Sequence, residues 1–361
     1  MSDKLSDTRK RVTRTTLREV AQAAGVSVAA ASYALSGKGL QRRISPAVIE
    51  RIREVARESG YAPNLLVRSM QSGRTHVLGL YSSFRTHPHH DLYYSRVITA
   101  LEEAAGSRGY NLLIYCRPES THDEVYGALN GGMCDGVLFF GPVDDNPLLA
   151  LLRQSKLPSV LLNHEDPDGI LSSVTDDWRD GIRQVVESLT SLGHRDIAVV
   201  TSADATTDAP SRVREFTRLL ERQGISMPTN RVVPLNVYSS EGARATLHAL
   251  LNSDSPPTAV FCWHDLAGYY LLDACDSMNL SVPTDLSFVG YDGINWSANP
   301  KQRLTTVEVD LEAQLQRAVH IVDRLIRGEI VTPEQTVNSV QLRTGTTLAA
   351  PPPAGTPRRL L

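Results

Sequence analysis

Between residue 76 and about residue 347, apolar runs of strand length alternate with amphipathic segments of helical period. This alternation is typical of parallel sheets that are covered by helices on both faces. About 270 residues are enough for two such α/β lobes, and ligands of these folds bind at the carboxyl ends of the strands. Strands are predicted at 77–81, 110–115, 136–140, 159–162, 197–201, 232–235, 259–262 and 286–290, with helices near 93–108, 178–191, 211–223, 239–251, 265–278 and 311–327.

The first sixty residues carry a different pattern, which predicts three short helices. Residues 16–19 have the spacing of a capping box, which begins a helix. Ser27 can cap a second helix over 28–35, and Ser45, followed by proline, can begin a third helix that ends at Gly60. Two short helices joined by a turn of about three residues form a helix-turn-helix unit.

A short segment, residues 65–71, lies between this head and the α/β body. At about two turns, it is too short to be a stable helix in isolation. We therefore predict a linker that becomes ordered on contact.

The charge is distributed unevenly along the chain. Residues 1–78 carry fourteen basic and six acidic side chains, a balance of +8, whereas the whole chain has a net charge of −3. A small basic head on an acidic body indicates a module that binds a polyanion such as DNA. A solubilising tail is the alternative interpretation of the same charges.

No apolar run approaches the ~18 residues that span a bilayer, and the polar N-terminus lacks the apolar stretch of a signal peptide. We therefore expect a cytoplasmic protein without a membrane partner. The four cysteines have no CxxC spacing, which argues against a zinc site and a disulfide framework. We expect them to be buried, reduced thiols: Cys116, Cys134, Cys262 and Cys275.

Catalytic signatures are absent from the sequence: it contains no G-x-S-x-G, no phosphate-binding P-loop and no G-x-G-x-x-G after a strand. The histidines at 87, 89 and 90 have one acidic neighbour, Asp91, and no nearby cysteine, so a solvated loop is favoured over a metal site. We expect neither an enzyme, nor a cofactor, nor a bound metal.

Strings in both parts of the chain resemble the LacI family of bacterial transcriptional regulators. In the head they are TLREVA at 16–21, GVS at 25–27, Ser32, ISP at 44–46, GYAPN at 60–64 and RS at 68–69. In the body they are SLGHRDIA at 191–198, VPTDLSFVGYD at 282–292 and LTTV at 304–307. These strings occur in the same order and at similar spacing in the family, and the resemblance extends over nearly the whole chain.

The resemblance implies an α/β protein with a three-helix helix-turn-helix head, a hinge helix and a two-lobed, periplasmic-binding-protein-like body with parallel sheets. The expected parts are a basic flexible arm at 1–14, the DNA-binding domain at 15–62, the hinge at 63–75, the effector-binding and dimerisation domain at 76–347, and a Pro-rich disordered tail at 348–361. It further implies a homodimeric repressor that binds a pseudo-palindromic double-stranded DNA operator. A small-molecule effector, a sugar or related metabolite, would bind between the lobes and control it.

In helix-turn-helix proteins the second helix enters the major groove, so its exposed side chains should face base edges and phosphates. Together with the positions that the resemblance implies, the predicted DNA-binding residues are Thr16, Ser27, Val28, Ala29, Ser32, Tyr33, Ser36, Arg43, Asn64, Val67 and Met70.

Two of these residues depart from the family pattern. Tyr33 stands where members often have arginine, and it either contacts a base or phosphate or packs as a solvent-facing or cap aromatic. Met70 stands where the hinge wedge is usually leucine, and it either enters the minor groove or packs on the body as a linker residue. The loop at 37–41 is also longer than in many members.

The resemblance implies an effector site in the cleft between the lobes. An arginine and a carboxylate can hydrogen-bond to hydroxyl groups while an aromatic ring covers an apolar sugar face. The predicted residues are Ser82, Asn163, Arg212, Tyr238, His264 and Asp292, and for each of them a structural salt bridge or helix cap is the alternative role. His264 departs from the Asn-Asp pair of the family, and Trp296 either walls the cleft or is buried between the lobes.

Two other functions suit an α/β body of this kind. A solute-binding or transport-associated protein is disfavoured by the missing signal segment and the intact head. A carbohydrate-metabolising enzyme is disfavoured by the lack of a paired-carboxylate or nucleophile motif. Salt-dependent retention on DNA would separate the regulator from both.

Overall fold

The structure, a computed structural model, describes residues 15–83, 92–117, 120–141, 146–202, 208–235, 238–253, 255–294, 302–330 and 332–353, with only the backbone at 65, 66 and 71. The chain divides into two compact units, Met1–Thr75 and His76–Leu361. The predicted arm at 1–14 and the histidine loop at 87–90 lie outside the described residues, as does Trp296.

The head contains the three predicted helices: α1 (Leu17–Ala23), α2 (Val28–Leu35) and α3 (Pro46–Glu58). The predicted caps are present, because the side chains of Thr16, Ser27 and Ser45 each accept a hydrogen bond from a backbone N–H of the helix that follows. Side chains of all three helices form one small apolar core that includes Val20, Ala31 and Ile52. A single 3₁₀ turn, Leu40–Arg42, lies in the loop between α2 and α3.

The hinge segment is helical in the structure, as α4 (Leu65–Ser72). This agrees with the hinge helix that the resemblance implies, whereas the length of the segment alone predicts a linker that becomes ordered on contact. Its backbone closes helical hydrogen bonds, such as Gly73 N–H to the Ser69 carbonyl at 2.8 Å. Gly73 has a φ of +69° and so provides the left-handed residue that often ends a helix.

The first lobe of the body is built on a six-stranded sheet in which every neighbouring pair is parallel. Its strands are β1 (Val77–Ser82), β2 (Asn111–Ile114), β3 (Gly136–Phe140), β4 (Ser159–Leu162), β5 (Ser172–Asp176) and β11 (Gln335–Asn338), in the order β11-β5-β4-β3-β1-β2. Helices α5 (Leu92–Ser107) and α12 (Leu311–Ile326) cover one face, and α6 (His122–Ala128) and α7 (Pro147–Gln154) cover the other.

The second lobe has its own six-stranded sheet, in the order β12-β10-β9-β8-β6-β7. Its strands are β6 (Ile197–Ser202), β7 (Val232–Leu235), β8 (Ala259–Cys262), β9 (Ser287–Asp292), β10 (Thr305–Glu308) and β12 (Gln341–Arg343). Helices α8 (Trp178–Ser191) and α9 (Ala209–Arg222) cover one face, and α10 (Ser240–Leu251) and α11 (Asp265–Ser277) cover the other. The edge strand β12 is antiparallel to β10, so this sheet is not purely parallel.

The chain crosses between the lobes three times within the described residues: from β5 to α8, from β10 to α12 and from β11 to β12. A hydrogen bond joins the crossing after β5 to the crossing after β11, because the Asp177 backbone N–H donates to the Asn338 carbonyl at 2.8 Å. These short connections place the carboxyl ends of both sheets next to the crossings.

Four strands and two α-helices of the body were not predicted from the sequence: β5, β10, β11, β12, α6 and α7. The strands β5 and β10 have polar sequences, SSVTD and TTVE, although most of their residues are buried. Alternation of apolar residues therefore does not reveal them.

The predicted disorder begins too early at the C-terminus. The carbonyl of Ala349 accepts hydrogen bonds from the His194 ring and the Ser287 hydroxyl, and Leu348 packs on the core of the second lobe. Leu348 and Ala349 are therefore part of the folded body, and residues 354–361 lie outside the described residues.

The prediction that all four cysteines are buried is wrong for Cys116, which is exposed in the irregular segment after the edge strand β2. The other three are buried, and all four are free thiols.

No helix among the described residues is long and apolar enough to cross a membrane.

Candidate functional site

One face of α2 presents the five residues that the sequence assigns to the major groove. Val28, Ala29, Ser32, Tyr33 and Ser36 are spaced so that they share one side of the helix. Val28 is 44% exposed, Ala29 and Ser36 are also exposed, and Ser32 and Tyr33 are half-buried. The opposite side, with Ala31 and Ala34, is buried in the head core.

The ring of Tyr33 is covered by a cation. The guanidinium carbon of Arg42 lies 4.9 Å from the centre of that ring. Arg43, the predicted contact in the same loop, is exposed and has a φ of +57° at the end of the 3₁₀ turn. Arg42 is thus a basic residue at this face that sequence reasoning missed.

The other predicted DNA-binding residues occupy helix ends and the hinge. Thr16 and Ser27 both act as N-caps, so each already has a structural role. Asn64 precedes α4, and its carbonyl accepts the Arg68 N–H at 3.1 Å. Val67 and Met70 are 49% and 86% exposed and lie three residues apart on α4, which places both on one side of it.

Arg212 is a buried cation of the second lobe. It lies in the first turn of α9 and is only 5% exposed. Its Nη2 forms an ion pair with Asp208 at 2.7 Å, its Nη1 lies 3.8 Å from the Asp292 carboxylate, and Nη1 donates to the Trp263 carbonyl at 2.9 Å. The guanidinium carbon is 3.8 Å from the ring centre of Tyr291.

Packing explains why the chain places Arg212 there. One turn further along α9, Phe216 stacks on Phe261 of β8 with ring centres 4.8 Å apart. This stack fixes the helix against the sheet, so Arg212 lies beyond it, at the carboxyl end of β8. Burial disfavours the charged form of Arg212, but the surrounding Asp208, Tyr291 and Asp292 outweigh burial and raise its pKa.

Tyr238 and His264 form the aromatic part of the site. Their rings stack with centres 5.5 Å apart, and the Tyr238 hydroxyl lies 2.9 Å from His264 Nε2. His264 Nδ1 accepts the Ala267 backbone N–H at 3.0 Å and so caps α11. Because Nδ1 accepts, we assign the proton to Nε2, which then donates to the Tyr238 oxygen.

Trp263 is the third aromatic residue of this part of the site, and it was not predicted from the sequence. Its ring centre lies 4.1 Å from that of His264, and its backbone N–H donates to the Val200 carbonyl beyond the end of β8. Its indole Nε1 is buried and finds no acceptor among the described residues, and the same holds for Nε of Arg212. The only sequence signal was its position directly after a buried strand.

The first lobe contributes Ser82 and Asn163, which lie at the carboxyl ends of β1 and β4. Both polar atoms of the Asn163 side-chain amide form a hydrogen bond, since Nδ2 donates to the Tyr93 hydroxyl at 2.6 Å and Oδ1 accepts from Gln314 at 2.8 Å. Asn163 also has a φ of +55°. These contacts are neither the salt bridge nor the helix cap that the sequence left open as its alternative role, and they leave one Nδ2–H of Asn163 to donate to a ligand.

The structure thus brings Arg212, Tyr238, His264 and Asp292 together on the second lobe, and it places Ser82 and Asn163 at the corresponding edge of the first. Asp292 ends β9 with a φ of +114° and is 5% exposed. In the parts of the chain that the structure describes, no group of three or more His, Cys, Asp or Glu side chains could hold a metal ion.

Two family models match the chain. The one described as "Bacterial regulatory proteins, lacI family" matches residues 16–64, and the one described as "Periplasmic binding protein-like domain" matches residues 186–348. The first therefore covers the three helices of the head, and the second covers most of the second lobe together with α12 and β11 of the first lobe.

Curated relatives extend this likeness over most of the chain. The HTH-type transcriptional repressor PurR of Glaesserella parasuis is 27% identical over 295 residues, which cover 81% of this chain and 84% of the relative. The ribose operon repressor of Escherichia coli is 26% identical over 296 residues, covering 81% of this chain and 87% of the relative.

Solved structures share the fold. A complex of the transcriptional regulator CelR with cellobiose matches with a TM-score of 0.65 and 25% identity, over 93% of this chain and 100% of the other. The lac repressor dimer bound to operator and an anti-inducer matches with a TM-score of 0.78 and 24% identity, over 94% of this chain and 100% of the other. With both family models, these relatives confirm the resemblance: the head belongs to the LacI family of bacterial regulatory proteins, and most of the chain is similar to the repressors of that family.

Proposed function

We propose that the protein is a dimeric repressor of the cytoplasm whose head reads a pseudo-palindromic operator and whose body binds a neutral, polyhydroxylated effector. Residues 15–62 are the DNA-binding domain, 63–75 the hinge, and the body that begins at 76 binds the effector and dimerises. The body ends beyond 347, because Leu348 and Ala349 contact the second lobe.

The DNA-binding part of the proposal rests on charge and exposure. The head and hinge region carries +8 while the whole chain is at −3. Phosphates attract such a basic unit at long range, and an exposed helix face then reaches base edges. The face of Val28, Ala29, Ser32, Tyr33 and Ser36 is the one that we assign to the major groove. We assign contacts with the DNA phosphate backbone to Thr16, Ser27, Arg43 and Asn64. We assign contacts with the minor groove to Val67 and Met70.

One observation carries the effector part: Arg212 is buried, and its Nε–H has no acceptor among the described residues. A buried donor without an acceptor costs about 1–3 kcal/mol, and a ligand oxygen that accepts it removes this cost. Asp292 can accept from a ligand hydroxyl, and the Tyr238 ring offers an apolar face. His264, Ser82 and Asn163 complete the proposed set.

A polyhydroxylated ligand suits this mixture of donors and acceptors. Arg212 already faces two carboxylates, Asp208 and Asp292, so a ligand with a further negative charge would be repelled by them. Two relatives are named for sugars, the ribose operon repressor and the regulator CelR in complex with cellobiose. We therefore assign a neutral sugar or a related metabolite to the site.

Control by this effector would act through the lobes. A ligand that contacts both lobes binds more tightly when they are closed, and it shifts the protein toward that state. The three crossings lie beside the proposed site, so the lobes would close about them. Closure would then shift His76, the first residue of the first lobe, relative to the second lobe. The hinge, and with it the two heads of a dimer, would then move relative to the operator.

The test starts with a selection of the full-length protein on a random duplex DNA library. We expect enrichment of a pseudo-palindromic sequence. The enriched duplex then serves as the probe in fluorescence anisotropy, while neutral mono- and disaccharides are added, beginning with ribose and cellobiose.

The matched variant is Arg212→Lys, which keeps the positive charge but lacks the Nε–H. It should bind the enriched duplex as the wild type does and should respond to the active sugar only at much higher concentration. A library without any enriched sequence would contradict the DNA-binding part. An unchanged sugar response of the lysine variant would contradict the placement of the effector.

A further inference from the structure

We propose that Arg42, held on the ring of Tyr33, reads a base edge of the operator as part of the recognition surface. The inference rests on the proposed DNA-binding function and goes beyond it, because it assigns base reading to a loop residue outside α2. The base that Arg42 would contact is a guanine, because the two hydrogen-bond acceptors of guanine in the major groove match the paired N–H donors of a guanidinium.

The first step is the position of Tyr33. It lies on the exposed face of α2, one helical turn after Ala29, and it carries no charge of its own. The Arg42 guanidinium lies 4.9 Å from its ring centre, which is within the range of a cation–π interaction. The pair therefore brings a positive charge to the reading face, where α2 itself has no basic residue.

The second step is the rigidity of the loop that carries Arg42. The Lys38 N–H donates to the Tyr33 carbonyl at 2.9 Å, and the Ile44 N–H donates to the Gly39 carbonyl at 3.0 Å. Gly39 packs so closely on the head core that an added Cβ would lie 2.7 Å from Ile49 Cδ1. The extra loop length is thus folded back onto the head and does not detach Arg42 from α2.

The third step is the availability of the guanidinium. Arg42 is exposed and forms no ion pair with the described residues, whereas Arg53 and Arg57 of the same head both pair with Glu50. A guanidinium stacked on a ring keeps its N–H groups at the edge of its plane, free to donate. Tyr33 therefore orients the donors of Arg42 without consuming them.

The experiment repeats the selection from a random duplex library with the full-length protein and its variants. We expect Arg42→Ala to lose the preference for one G·C pair in each half-site and to bind the wild-type sequence about 5- to 150-fold more weakly. Tyr33→Leu, which removes the ring, should lose the same preference, and Tyr33→Phe should keep it.

Arg57→Ala is the matched control, because it removes the same charge from the head at a residue paired with Glu50. It should lower the affinity for all duplexes alike and leave the selected sequence unchanged. Circular dichroism melts verify that each head is folded. Arg42 would lose its assigned role if Arg42→Ala selected the wild-type sequence or weakened all duplexes equally, as the control does. If the wild type enriched no sequence, the proposed function itself would fail.

Discussion

The hydroxyl of Tyr291 donates a 2.5 Å hydrogen bond to the carboxylate of Asp176, and this contact joins the ends of β9 and β5 across the two lobes. The same Tyr291 ring lies under the guanidinium of Arg212. Burial and the Asp176 carboxylate raise the pKa of Tyr291 well above its ordinary value, so the hydroxyl remains a donor. A single ring therefore connects the proposed effector site to the crossing that begins after β5.

The variant Tyr291→Phe tests how much this hydrogen bond contributes to the free energy of unfolding. The variant keeps the ring beneath Arg212 but leaves the buried Asp176 without its donor, so the body should lose about 1–3 kcal/mol of stability in urea unfolding. Tyr115→Phe is the control, since it removes only a 3.1 Å bond to the Ser120 hydroxyl within the first lobe. Equal losses in the two variants would show that the bond between lobes has no special weight.

Asp265 gives a prediction for the pH dependence of stability. Complete burial raises the pKa of Asp265 to about 8, although hydrogen bonds from the Thr306 hydroxyl and the Ile294 N–H lower it. The unfolded chain releases this proton near pH 4, so between about pH 4 and 8 only the folded state holds it. Stability should therefore fall as pH rises through this window, by at most about 1.4 kcal/mol for each pH unit.

The variant Asp265→Asn imitates the protonated carboxyl group and removes the titration. Its unfolding free energy should change less than that of the wild type between pH 5 and 8, measured by urea unfolding at each pH. If both proteins gave the same slope, the carboxyl group would already be ionised in the folded state at pH 5.

Apolar patterning predicts the central strands because these residues are buried on both sides. The strands at 136–140 and 159–162 and the helix at 178–191 lie where the sequence predicts them. Polar strands escape this reasoning, because their burial depends on distant partners. The hydroxyl of Ser173 bonds to Gln335, and that of Thr306 bonds to Asp265 at 2.6 Å.

The site follows a similar division. Arg212 and Asp292 were named from the family resemblance, and the structure places them 3.8 Å apart. Trp263 was missed, because an indole N–H becomes informative only when the surrounding fold is seen to offer it no acceptor. Arg42 was missed for a related reason, since its contact with Tyr33 depends on how the loop folds back.

Trp263→Phe should change stability and effector binding in opposite directions. Without effector, the variant no longer buries an N–H that lacks an acceptor, so its thermal unfolding should occur at the wild-type temperature or above. The variant should bind the active sugar about 2- to 13-fold more weakly, because it loses one neutral hydrogen bond. Clear destabilisation of the sugar-free variant, or unchanged sugar affinity, would contradict a ligand-binding role for the indole N–H.

The last prediction concerns the hinge. Met70 is 86% exposed on α4 and lies on the same side of the helix as Val67, which is 49% exposed, so the hinge offers an uncovered apolar pair. A wedge that enters the minor groove between two base steps would use this exposure and bend the duplex. Met70→Ala should therefore weaken binding to the selected operator by ~1–3 kcal/mol. Sugar affinity of the DNA-free protein should not change.

Met70→Leu is the matched variant, because it keeps a large apolar side chain and should retain most of the affinity. Alanine is the stronger helix former, so a loss of affinity in Met70→Ala cannot come from a weaker helix. Anisotropy titrations of both variants with the selected operator and with an unrelated duplex measure the effect. If alanine and leucine at this position bound the operator equally well, Met70 would be a linker residue and the wedge would have to be sought elsewhere on the hinge.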